Sequence, residues 1–91
     1  MIIDDRQREI MIIAQEEAAE VIQEISKIFR FGVDNLHRDG MTHRQRLEEE
    51  VGDLMCMVDL MCKHGLLDRD SVRYHSHLKA IKLKKWSSIY K

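Results

Sequence analysis

The chain has 91 residues, no Pro, four Gly, 5% aromatic and 34% charged side chains, and a formal net charge of −1. That length holds one domain, residues 1–91, and a composition rich in Glu, Lys, Ile, Leu and Met favours helices over a sheet. Near-neutral charge calls for no nucleic-acid or anionic-membrane partner, no apolar run approaches the roughly 20 residues of a membrane span, and "MIIDDRQRE" lacks the basic start and apolar centre of an export signal, so a cytoplasmic protein is expected.

The first helix is expected from about Asp4, a plausible N-cap, to Phe29. Apolar residues recur along it at helical spacing: Ile10, Ala14, Ala18, Val21, Ile25 and Ile28. "RFGVDNLHRDGM" then breaks the pattern with two Gly, two Asp and an Asn, and reads as a loop. "THRQ" has the form of a capping box, with Thr42 as N-cap and Gln45 at N3. A second helix follows to about His64, where Gly65 ends it. Asp68 or Asp70 caps a third helix, whose basic end "KLKKW" suits the negative pole of the helix dipole. Cys56 and Cys62 are six residues apart, about 9 Å of helical rise, too far for a disulfide within one helix. They read as free core thiols, and six Met suggest a soft core.

Three helices in so short a chain make a thin core. The second helix is apolar over a wide arc, since Leu54, Met55, Val58, Met61 and Cys62 fit no single narrow stripe. The expected fold is therefore all-α, with a three-helix protomer whose remaining apolar surface a second copy covers in a homo-oligomer.

Two helices carry carboxylates where apolar residues belong. With Val21 at the centre of the first stripe and about 100° per residue, Glu17 lies about 40° from the centre and Glu20 about 100°, at the margin. With Leu54 at the centre of the second, Glu50 and Asp53 repeat the same offsets, while Glu16 and Glu49 point to solvent. Such charges either reach water, become protonated, or meet a cation. Neither core face carries Arg or Lys nearby, and unpaired buried carboxylates in two facing pairs cost several kcal/mol each. The repeat of one pattern on both helices favours a divalent cation, and hard oxygen ligands suit Mg²⁺.

These residues, "EAAE" from Glu17 to Glu20 and "EVGD" from Glu50 to Asp53, resemble the E-x-x-E and E-x-x-D motifs of the MazG-like all-α nucleoside triphosphate pyrophosphohydrolases. "AQEEAAEVIQEISKIFRFG" and "RQRLEEEVGDLMCMVDLM" are similar to the small single-domain members of phages and bacteria, over roughly residues 10–65. The resemblance implies a fold in which the three-helix protomers pack into a four-helix-bundle-type dimer or tetramer, in a bacterial or phage-infected cytoplasm. It also implies Mg²⁺-dependent hydrolysis of a (deoxy)nucleoside triphosphate to the monophosphate and pyrophosphate, with Mn²⁺ as a substitute ion. Carried over by position, Glu17, Glu20, Glu50 and Asp53 are the metal ligands, and Glu17 also orients or deprotonates the attacking water. Lys82 and Lys85, at i and i+3 on the third helix, are assigned to phosphate, with a solvated basic helix end as the other reading.

Other readings differ in substrate or in class. One is a phosphoribosyl-ATP pyrophosphohydrolase-like or base-selective deoxynucleotide enzyme with the same metal site. Another is a catalytically inactive helical interaction module. Five His offer no E-x-x-H pair on a core face: His75 and His77 diverge on a helix, and His37, His43 and His64 fall at or near loops and ends.

Overall fold

The structure is a computed structural model that describes residues 1–36 and 39–91; His37 and Arg38 of the expected loop lie outside the described residues. Three helices follow in order, α1 (Asp5–Phe31), α2 (His43–Lys63) and α3 (Arg69–Trp86), and no strand forms among the described residues. The chain is all-α. No described helix is long and apolar enough to cross a membrane.

Local chemistry fixes each helix end. Asp4 caps α1 by accepting from the Gln7 N–H at 2.8 Å, and the Gln7 side chain accepts in return from the Asp4 N–H at 3.0 Å. The expected Thr42–Gln45 box opens α2 in the same way, with bonds of 3.1 and 2.9 Å. Of the two Asp candidates for α3, Asp68 is the cap, accepting from the N–H groups of Asp70 and Ser71, while Asp70 sits inside the first turn. α1 runs two residues past the expected Phe29. The reason is Phe31, which stacks on the His43 ring at 5.7 Å and takes the Arg30 guanidinium on its face at 4.9 Å. The helix stops at Gly32, whose φ of 95° L side chains avoid.

α1 and α2 pack antiparallel as a hairpin, and their seam has a repeat of seven residues on both strands of the pair. Ile10 and Met57 share the apolar cluster, with Ala14, Ile13, Leu60, Met61 and Leu66 around them. Seven residues on, Glu17 meets Glu50. Seven further, Glu24 meets His43. At the open end, buried Gln7 donates from Nε2 to the His64 carbonyl at 2.7 Å, tying the start of α1 to the end of α2.

α3 stands apart. It packs extensively on neither helix, and none of its residues is buried. The link before it is tightly bonded: Leu66 and Leu67 both donate to the Met61 carbonyl, and Arg69 bonds Asp59 at 2.8 Å. The bonds from Arg69 and then Lys63 hold the Asp59 carboxyl below its ordinary range.

The result is a slab with extents of 44 × 37 × 14 Å and a radius of gyration of 16.1 Å, against about 12 Å for a compact domain of this length. Its accessible surface is 7327 Å², roughly 1,800 Å² more than a compact monomer of this mass exposes. α1 carries a second apolar stripe, Met11, Ala18, Ile22, Ile25 and Phe29, that faces away from α2. Four of the five are exposed, Phe29 by 85%. Ile25, expected in the core, belongs to this outer stripe. Cys56, expected as a core thiol, is exposed on α2; Cys62 is half-buried, and both are free.

Gln7 both caps α1 and closes the hairpin. Gln7→Ala is expected to destabilise the fold by about 1–2 kcal/mol, because the part-buried His64 carbonyl loses its donor and the Asp4 N–H its acceptor. The measurement is the urea midpoint, which should fall at unchanged slope.

A candidate metal centre on the helical hairpin

The seven-residue repeat that packs Ile10 on Met57 also carries Glu17 and Glu50 to each other, because each lies two turns further along its helix. Asp53 follows Glu50 by three residues and joins them from the edge of α2. One carboxylate oxygen from each of Glu17, Glu50 and Asp53 lies within 4.8 Å of the others. The burial is graded as helix phase demands. Glu50 is buried at 9% exposure, Glu17 is half-buried and Asp53 is exposed.

Glu20 does not join that trio, although it was expected as a fourth ligand. It is exposed on α1, one turn along from Glu17. Its charge nevertheless acts on Glu50. Burial is the main cause that pushes the Glu50 carboxyl above its ordinary range, followed by the charges of Glu20, Asp53, Glu17 and Glu49. All of those neighbours are carboxylates. Glu16 and Glu49 are exposed as expected, and Glu49 pairs with Arg46 at 3.2 Å.

The donor set fits a hard cation. Around one Mg²⁺ at about 2.1 Å, adjacent ligand oxygens stand about 3.0 Å apart and opposite ones about 4.2 Å. Three oxygens on one ion need at least two of the short spacings, so the trio, within 4.8 Å of one another, closes on the ion by rotamer changes of up to about 2 Å. It has no sulfur or imidazole donor to favour a softer ion.

Lys82 and Lys85 are not gathered to this cluster. Both are exposed on α3, Lys85 lies over its neighbour Trp86 at 5.2 Å, and neither contributes to the field at Glu50.

A buried polar pair one step along the seam escaped the reading from apolar periodicity. Glu24 and His43 are 3% and 4% exposed, with Oε2 and Nδ1 3.9 Å apart. Lys27 Nζ reaches the other Glu24 oxygen at 3.2 Å, so this carboxylate has a cation beside it. The signal for it was the seven-residue spacing from Glu17 to Glu24 and from His43 to Glu50. His64 contributes its backbone carbonyl to the seam, and His75 and His77 are exposed on α3.

No family model, curated protein or solved structure matches this chain.

The raised pKa of Glu50 has a sign that can be tested. Its ionised form is disfavoured in the folded chain, so it withdraws stability above the folded pKa and withdraws none below the unfolded value near 4.5. Without divalent ions, Glu50→Gln is expected to melt higher than the wild type at pH 7, on the order of 4 °C. The gap should close as the pH falls through the raised value. Thermal melts in a chelator between pH 4 and 8 check this.

Proposed function

We propose that the protein is a Mg²⁺-dependent nucleoside triphosphate pyrophosphohydrolase, cleaving (deoxy)nucleoside triphosphates to monophosphate and pyrophosphate. The observation that carries the reading is the convergence of Glu17, Glu50 and Asp53 within 4.8 Å, with Glu50 buried and no cationic side chain acting on it. It supports the use that the resemblance to the MazG-like enzymes gives to the same residues.

In this reading Glu17, Glu50 and Asp53 hold the ion, and Glu20, one turn away, adds negative charge at its outer edge. Bound there, Mg²⁺ supplies neutralisation for the phosphate chain and polarisation of water. Glu17 has the second task. Its half-buried carboxylate keeps one oxygen to orient the water and take its proton, while water bonds to phosphorus and the α–β anhydride bond breaks. Buried Glu50 anchors the set from its place between the apolar layer and the Glu24–His43 layer.

The oligomer belongs to this proposal. The outer stripe of α1, with steps of 7, 4, 3 and 4 residues from Met11 to Phe29, has the spacing of a helix–helix seam. Pairing it with the same stripe of a second copy makes a four-helix bundle from two hairpins. The excess surface of roughly 1,800 Å² is of the size that one protomer contributes to an obligate interface.

Product analysis with a panel of ribo- and deoxynucleoside triphosphates and Mg²⁺ tests the proposal. Monophosphate plus pyrophosphate is expected, with Glu50→Gln slower by roughly 100-fold or more. Millimolar Mg²⁺ should raise the melting temperature of the wild type and not of the variant. Diphosphate plus phosphate would refute the bond assignment. No turnover and no Mg²⁺ shift would leave the inactive interaction module as the reading.

A further inference from the structure

The chain is divided by charge. Residues 1–68 carry fifteen Asp and Glu against eight Lys and Arg, while residues 69–91 carry seven Lys and Arg against one Asp. The acidic part folds as the hairpin, and the basic part is the helix that leaves it. At about 100° per residue, Tyr74, Leu78, Ile81, Lys82 and Lys85 fall within about 100° of arc on α3. One side of the helix therefore mixes apolar and basic groups, and Tyr74 and Ile81 are exposed there.

We infer that this face of α3 docks on the hairpin of a second copy of the chain, and that it brings Lys82 and Lys85 to the partner copy's carboxylate cluster. Three observations choose that occupant. The charges are complementary, and the charges that act on Glu50, buried in the acidic layer with Glu17 and Asp53, are all carboxylates. The same chain's hairpin does not take this face, because the Leu66, Leu67 and Arg69 bonds fix where α3 starts and it packs extensively on neither helix. A polyanion such as a nucleic acid would meet α3 only by approaching the acidic hairpin attached to it, at a cost in repulsion. An arm of 18 residues, about 27 Å, is long enough to lie across a neighbouring hairpin.

The docking stands without the catalytic reading. The assignment of the two lysines to phosphate rests on it: each site would then take its carboxylates from one copy and its lysines from the other.

Isotopes separate the two questions. Equal amounts of ¹⁴N and ¹⁵N protein are unfolded together, refolded and treated with a carbodiimide, which joins an amine to a carboxylate in contact. Links from Lys82 or Lys85 to Glu20 or Asp53 are expected, with about half of them joining peptides of unlike isotope. Links confined to like isotopes, or no such link, would overturn the docking. For the shared site, Glu50→Gln protein is refolded with the double variant Lys82→Ala/Lys85→Ala. Each alone is expected to be inactive, and the mixture to recover up to one-quarter of wild-type activity, since half the dimers are mixed and each has one complete site. No recovery, from variants whose wild-type parent hydrolyses the nucleotide, would place the lysines in the same chain's site. A wild type that shows unlike-isotope links and no hydrolysis would reject the enzyme and keep the docking.

Discussion

The seven-residue register between α1 and α2 decides what each part of this molecule can do. One alignment of two antiparallel helices sets Ile10 on Met57, Glu17 on Glu50 and Glu24 on His43. The three layers cannot be adjusted separately, because sliding either helix by a residue turns every side chain by about 100°. The apolar layer and the Gln7–His64 bond hold the hairpin together. The Glu24–His43 layer is self-contained, with Lys27 on the open oxygen of the carboxylate. The layer between them gathers negative charge alone. Its position between these two layers keeps Glu50 buried even though every charge acting on it is repulsive.

Much of this was readable because helical phase is local. The offsets of Glu17, Glu20, Glu50 and Asp53 from the apolar stripes give their order of burial, and only the exclusion of Glu20 from the trio differs from the expected four-ligand set. Thr42 with Gln45, and Asp4 and Asp68 at their caps, are equally local. Gln7, Glu24 and His43 were not found, because a search for apolar periodicity assigns polar residues to the surface. Their burial depends on which residue of the other helix stands opposite, and no single helix states that. Ile25 fails for a related reason. Two apolar stripes overlap on α1, and a pattern alone cannot say which of them faces α2 in the same chain.

α3 marks the limit of reading one chain. Its N-cap follows from sequence as one of two Asp, but its end and its place do not, since too few of its apolar residues share one face to hold it against the hairpin. What the helix has instead is charge opposite to that of the rest of the chain. Charge of this kind gives orientation and specificity more than binding energy. In the proposed assembly the apolar stripe of α1 supplies the area, and α3 sets how the copies are arranged.

The two unmet demands of the isolated chain then share one solution. In the acidic layer every charge that acts on Glu50 is repulsive. The basic helix needs an acidic and partly apolar surface that the fixed link keeps away from it. The bonds of Leu66, Leu67 and Arg69 order the link in its present course. Crossing to a second copy keeps them all. The geometry that withholds Lys82 and Lys85 from their own hairpin is thus the geometry that offers them to a neighbour. A carboxylate cluster completed in this way would hold its countercharge only in the assembled state, which ties the chemistry of the site to association of the chains.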